Sequence, residues 1–231
     1  MEYIKLLIDS SIGVLNWTFN QILFKVPFSE NYFWGLIIIS FVVWIFEIIF
    51  PWRKSQKILR KDFWIDIIYM FFNFFLFSII IVGFYEAFNK LLFDLSGIAS
   101  NSIALIDLST FSQISQLIIF FITVDFFQWL THIMMHRFDF LWRFHKVHHS
   151  VKEMGFAAHF HYHWIENILY KPLKVFAVML IGGFEPEQAY LIHFLTITIG
   201  HLNHSNIKLS YGSLKYIFNN PIMHLHHHAS S

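Results

Sequence analysis

Apolar residues run almost without interruption through three stretches of the chain, Phe33 to Phe50, Phe63 to Tyr85 and Gln113 to Thr131. A helix needs about 20 residues to cross the roughly 30 Å of bilayer hydrocarbon, so each stretch is predicted to be a spanning helix. A fourth apolar region, Ile168 to Leu202, is interrupted by Gly182-Gly183 and Pro186. Its two arms of about 14 residues each reach roughly 21 Å at 1.5 Å per residue, which predicts a helical hairpin that enters the bilayer and returns, fully or part way. Ahead of the first span, Tyr3 to Phe28 is apolar but broken by Asp9, Ser10, Ser11, Asn16, Asn20 and Gln21, and no small-residue cleavage site follows. That pattern predicts an amphipathic interfacial or re-entrant helix over residues 1–30, with a poorly apolar span as the alternative. The expected fold class is all-α: an integral membrane bundle of three long spans and a hairpin, built as one domain over residues 1–231.

Basic residues give the bundle an orientation. The loop after the first span carries Arg53, Lys54, Lys57, Arg60 and Lys61, whereas the region after the second has Lys90 against Glu86, Asp94 and Asp107. The first loop is therefore expected in the cytoplasm. Two further crossings bring residue 132 onward back to the cytoplasmic face, and Arg137, Arg143, Lys146 and Lys152 agree. A returning hairpin keeps everything after it on that face.

Composition narrows the chemistry. The chain is 56% apolar and 20% aromatic with 13% charged residues and a mean hydropathy of +0.54, against roughly 25% charge in an average soluble domain. A net charge of +1 with no basic patch excludes a nucleic-acid partner. The absence of cysteine excludes disulfides, thiolate metal sites and iron–sulfur clusters held by this chain. Any electrons it uses must come from another molecule.

All 15 histidines lie at or beyond position 132. Three clusters stand out: His132/His136, His145/His148/His149 and His224/His227/His228. Separations of three and four residues stack side chains on one helical face, and imidazole is the commonest biological metal ligand. One His-x-x-His-His motif alone also fits a histidine-rich surface turn; three clusters on one membrane face do not. Eight histidines exceed the four of a structural zinc ion and the three of a catalytic one, so two metals are expected, with Fe, Zn, Cu and Ni all compatible with the ligand type. The run from Asp125 through Gln128, Trp129 and His132 to His136 is expected to form one inward stripe, with Asp125 either accepting the second ring N–H of a ligand histidine or making a helix–helix hydrogen bond. His-Glu-x-x-His, Gly-x-Ser-x-Gly, a Walker loop and Gly-x-Gly-x-x-Gly are all missing, which removes zinc proteolysis, serine hydrolysis and nucleotide chemistry. A carboxylate-bridged di-iron bundle is disfavoured because no Glu-x-x-His pair occurs. A membrane metal transporter or store and a haem-binding electron carrier remain as alternative classes.

The ordered set His132-x3-His136, Leu141-Trp-Arg-Phe-His145-Lys-Val-His148-His149-Ser150, His204-Ser-Asn206 and Asn220-Pro-x-x-His224-x-x-His227-His228 resembles the fatty acid hydroxylase/sterol desaturase superfamily, from about Glu47 to the last residue. That resemblance implies two iron ions, with zinc as a substitute, and O2 as co-substrate. It also implies an external electron donor of the cytochrome b5, ferredoxin or reductase type, and hydroxylation or desaturation of a membrane lipid C–H bond. The implied ligands are His132, His136, His145, His148, His149, His204, His224, His227 and His228, with His163 and His201 of second rank. His159 and His161 are expected in the turn near the site, His193 as a packing histidine, and His226 pointing away. Relatives continue past the last histidine box with a further polar and aromatic segment, whereas this sequence stops at Ser231. A shortened carboxy terminus, and with it an incompletely closed site, is therefore expected.

Overall fold

The computed structural model describes residues 1–97, 104–183 and 185–229; the chain end at Ser231 lies outside them. It is helical apart from one two-residue strand pair. The helices are α1 (Glu2–Ile22), α2 (Tyr32–Ile49), α3 (Phe63–Phe71), α4 (Phe77–Ser96), α5 (Gln113–Arg137), α6 (Asp139–His145), α7 (Ile165–Met179), α8 (Pro186–His204) and α9 (Pro221–Ala229). α3 and α4 are joined through a π-helical turn, Phe72–Leu76, into one 34-residue helix. Among the described residues, three helices are long and apolar enough to cross a membrane: Tyr32–Ile49, Phe63–Ser96 and Gln113–Arg137. The second continues 11 residues past the expected end at Tyr85, because Glu86 is a good helix former and Lys90 and Asp94 are paired on its surface.

Lipid is as apolar as leucine, so helices in a membrane associate through close packing and polar contacts rather than through the hydrophobic effect. The outward faces fit this: Ile38, Phe41, Ile45 and Phe46 on α2, and Ile114, Ile118, Ile122 and Phe126 on α5, are exposed apolar stripes. The inward stripe of α2, Tyr32, Leu36, Ser40, Val43 and Glu47, repeats at three and four residues. It packs with Phe63, Met70, Phe75, Phe156 and Phe160 in the main core. Fully buried polar groups tie the elements together. Gln21 Oε1 accepts from the backbone N–H of Phe33 (2.7 Å), and the Asn31 amide donates to the carbonyl of Gln21 (3.0 Å) while capping α2 by accepting from Trp34 N–H (3.1 Å).

α1 does not lie across the spans. Tyr3 Oη donates to Asp94 (2.9 Å), Lys90 pairs with Glu2 (3.3 Å), and Gly83 faces the Leu7 carbonyl and Ser11, so α1 runs antiparallel along α4. Whatever tilt α4 takes in a bilayer, α1 shares it. The missing side chain of Gly83 lets the two backbones meet, an arrangement that suits the alternative expected for residues 1–30, a poorly apolar span.

The hairpin runs the full depth of the bundle. Its tip, β2 (Ile181–Gly182), pairs in parallel with β1 (Ile106–Asp107) just ahead of α5, and Gln188 donates to Gln116 at the start of α5 (2.7 Å). Gly183, at φ +77°, turns the tip where a Cβ would strike Asp107 and Ser109. At the opposite end the basic loop is bonded to the histidine-bearing segments: Trp52 and Arg53 N–H donate to Asn206 (2.7 and 2.9 Å), and Arg53 and Gln56 donate to the Met154 carbonyl (2.8 and 2.7 Å). Loop 51–61 and the histidine clusters thus occupy one end of the molecule.

A Cβ built on Gly83 would lie 2.4 Å from a backbone oxygen, which cannot swing aside. Gly83→Ala is expected to separate α1 from α4 and destabilise the protein by about 1–3 kcal/mol, read as a lowered melting temperature in detergent; Gly13→Ala, with nothing within 4 Å, is the control.

Candidate metal centre

Helical spacing brings the histidines together. His132 and His136 stand one turn apart at the end of α5, α6 and a 3-10 turn present His145, His148 and His149, α8 ends on His204, and α9 carries His224, His227 and His228. Two quartets result, His132/His136/His145/His149 and His148/His204/His224/His228, each with ring nitrogens lying within 4.8 Å of one another. The division follows a simple rule. Residues four apart (132/136, 145/149, 224/228) enter the same quartet, whereas a residue three along (148) is rotated into the other. His227 likewise leaves its α9 neighbours, and its Nε2 lies 3.0 Å from that of His132, with its ring 4.7 Å from those of both His136 and His149. The quartets share a wall, where the rings of His149 and His228 stack at 4.3 Å.

Protonation follows from the second ring nitrogens. His148 Nδ1 faces the His161 carbonyl (3.1 Å), and His204 Nδ1 faces the Gly200 carbonyl (2.7 Å). A carbonyl only accepts, so both Nδ1 atoms carry the proton and both Nε2 atoms present lone pairs. Those lone pairs lie 3.1 Å apart, aimed at each other. They cannot form a hydrogen bond, and a cation between them turns the repulsion into coordination. His145 repeats the arrangement: Nδ1 donates to Glu166 (3.2 Å), leaving a buried Nε2 with no partner. The Nε2 of His136 and both ring nitrogens of His149 are buried and unpartnered as well. Burial, reinforced by neighbouring imidazoles, pushes His149 and His228 down to about 2 and His148 and His224 well below the usual imidazole range. Neutral imidazoles are what divalent ions bind. The donor set fits two metal ions.

Other candidates are placed elsewhere. His201 is fully buried but bonded on both sides, to Ser40 (3.0 Å) and His159 (2.7 Å). His163 Nδ1 accepts from Ile165 N–H (3.2 Å) at the start of α7, and its ring packs on Phe144. Neither joins a quartet: both ring nitrogens of His201 are already bonded, and His163 Nδ1 is held by the start of α7. Asp125 is exposed, and the inward stripe of α5 is instead Gln116, Phe120, Val124, Thr131 and Met135. It accepts no histidine N–H, and its charged neighbour is Lys174 on α7. His159 and His161 lie beside the site as expected, His193 packs on Tyr32 (5.1 Å), and His226 is exposed. Sequence spacing missed the supports: Glu166, the carbonyls of His161 and Gly200, Asn219 at 2.8 Å from His224 Nδ1, and Tyr170 Oη at 3.4 Å from His132 Nδ1. It also missed the buried Asp66, which accepts from Arg60 and from His161 Nδ1 (2.5 Å) and so fixes the turn whose carbonyl orients His148.

A sequence profile of the fatty acid hydroxylase family matches residues 117–231. Every histidine of both quartets lies within that stretch. Residues 117–231 belong to the fatty acid hydroxylase family. An ornithine lipid hydroxylase, OlsE of Rhizobium tropici, is 30% identical over 115 residues, covering 49% of this chain and 34% of OlsE. The chain therefore spans about a third of that relative's length. No solved structure matches. In fatty acid hydroxylase terms, the matched part supplies both quartets and α1 to α4 supply the bracing around them.

Removing a carboxylate that orients a ligand histidine lowers metal affinity about 10- to 100-fold. Glu166→Ala is expected to show that loss in a zinc-competition titration, whereas His163→Ala, outside both quartets, should retain the parental metal content.

Proposed function

We propose that this protein is a membrane lipid hydroxylase with a two-iron histidine centre at the cytoplasmic face. The observation that carries the reading is the pair of imidazole quartets whose lone pairs converge on two points at one end of an apolar bundle. The family match and the likeness to a lipid hydroxylase support the substrate class. Iron bound there would supply O2 activation and oxidation of a C–H bond, giving an alcohol or, with loss of a second hydrogen, an alkene. We favour hydroxylation because both comparisons carry that activity in their names.

The chain's own part is geometric and electrostatic. The carbonyls of His161 and Gly200 and the Glu166 carboxylate hold His148, His204 and His145 in the tautomer that exposes Nε2. Tyr170 lies against His132, where its hydroxyl can hold a proton beside the centre. Phe156, Ala157, Ala158 and Phe160, all buried, seal one flank from water. The exposed apolar faces of α2 and α5 let a lipid approach sideways from the bilayer. With no cysteine in the chain, electrons come from an external donor, and the exposed Arg137, Arg143, Lys146 and Lys152 form a basic rim that suits an acidic one. Among the described residues, both groups of converging ligands lie at this one end, which disfavours a transport path with ligands through the depth of the membrane.

Protein expressed with added iron is expected to carry about two equivalents of metal, one per quartet. Cells expressing it should accumulate a lipid heavier by one oxygen. Both His148→Ala, in one quartet, and His227→Ala, beside the other, should abolish that product. Normal lipid oxidation in either variant would overturn the shared-centre reading, and metal uptake into proteoliposomes without lipid oxidation would favour a transporter.

A further inference from the structure

The two quartets differ in what stands behind them. The first, His132/His136/His145/His149, is backed by α7: Glu166 accepts from His145 Nδ1 (3.2 Å), and Tyr170, one turn on, stands 3.4 Å from His132 Nδ1. Behind the second, His148/His204/His224/His228, the groups bonded to the outer ring nitrogens among the described residues are all neutral. They are the carbonyls of His161 and Gly200 and the amide of Asn219.

Glu166 also stands apart from the other buried acids. Among the described residues three acids are buried, Glu47, Asp66 and Glu166. Asp66 pairs with Arg60. Glu47 stands beside the same guanidinium, since its Oε1 and Arg60 Nε lie 3.0 and 3.1 Å from the point that a Cβ on Gly155 would occupy. No lysine or arginine among the described residues comes within 4.0 Å of Glu166. Its ionisable partner is His145, and its Oε1 is buried without a hydrogen bond. A buried carboxylate facing only an imidazole is costly unless a cation completes it. The place for that cation is the far side of the same ring, where His145 Nε2 is buried and unpartnered within the first quartet.

Two further differences act in the same direction. His227 adds a fifth imidazole beside the first quartet, with its ring 4.7 Å from those of His136 and His149 against 5.6 and 5.7 Å from those of His224 and His228. All four histidines of the second quartet are buried, whereas three of the first are only half-buried. A divalent ion therefore gives up more hydration to enter the second.

We infer that the two metal points are unequal: the first quartet fills first and holds its ion more tightly, with Glu166 as counter-charge, and the second quartet takes a second ion more weakly. The quartets share the wall where His149 stacks on His228, and repulsion between like charges across so dry a wall widens the gap. Metal supply then governs the second quartet, and a chain short of metal carries a lone ion in the first. The inference rests on the two-metal reading proposed above, but it concerns affinity and is tested without turnover.

The test is a stepwise titration of the metal-free full chain in detergent with Zn2+, a redox-silent probe, against a competing chelator, with the ions counted by native mass spectrometry. Two steps about tenfold or more apart are expected. His136→Ala, which removes a ligand of the first quartet, and His224→Ala, which removes one of the second, should each leave a single step, and the tighter of the two should be the one left by His224→Ala. Glu166→Gln keeps an acceptor for His145 Nδ1 and removes the charge. Added to His224→Ala it should weaken the remaining step about 10- to 100-fold; added to His136→Ala it should change nothing. Two steps of equal affinity in the parent protein overturn the inference, even if no variant accumulates. So does a tighter step in His136→Ala than in His224→Ala, or an equal loss from Glu166→Gln in both backgrounds, which would mark a merely structural role. Absence of zinc uptake by the parent would overturn the inference and the metal centre together. Unequal steps in a protein that oxidises no lipid would sustain this inference and defeat the hydroxylase reading; lipid oxidation with equal steps would do the reverse.

Discussion

Imidazole lone pairs aimed at a common point repel one another, and much of this fold exists to keep them aimed. Left to relax, His148 and His204 would move a proton to Nε2 or turn their rings apart. The carbonyls of His161 and Gly200 forbid both, because each demands the proton on Nδ1. Holding those carbonyls in place falls to residues remote from the centre. Arg60 and His161 meet on Asp66, Glu47 accepts from Phe156 N–H (2.7 Å), and His201 links Ser40 to His159. Each contact ties a spanning helix to the segment between α6 and α7. In a membrane, an interhelical hydrogen bond averages only about 0.6 kcal/mol, so no single one could impose the arrangement. Their number, and their concentration at one end, does.

The spanning helices and the histidine boxes were legible in the sequence because both are local and repetitive. Eighteen to 25 apolar residues announce a span, and separations of three and four announce a shared helical face. What the spacing did not carry was the sorting of neighbours: it grouped His145, His148 and His149 as one cluster, whereas the 3-10 turn sends His148 one way and His149 the other. His163 and His201 stand outside the quartets for a related reason. A histidine near a ligand in sequence looks like a ligand until its ring nitrogens find partners, and Ile165 N–H, Ser40 and His159 come into reach only through folding.

Asp125 and α1 show the other limit. The helical stripe containing Asp125 was identified correctly as a stripe, but its direction depends on which neighbour packs most closely, and the buried line through Val124 and Thr131 is the one that faces in. For α1, scattered polar residues look like the marks of an interfacial helix. Their purpose is visible only against α4, where Ser11 sits at Gly83 and Gln21 reaches the start of α2. Supports such as Glu166 and Asp66 were invisible for the plainest reason: a lone acid in an apolar stretch has no pattern, and its meaning is supplied by a partner 21 or 95 residues away.

The split of His148 from His149, mirrored by that of His227 from His228, fixes something that carboxylate-bridged bundles achieve differently. There a shared acid sets the distance between two ions, and that acid can swing, loosen or change its mode of attachment. In this chain the two binding points are yoked by peptide bonds at two places, one on each side. The backbone therefore limits how far apart the two points can move, leaving only the rotations of the imidazole side chains to adjust them. Ions held there would keep a spacing chosen mainly when the chain folds, with no bridging acid required to set it.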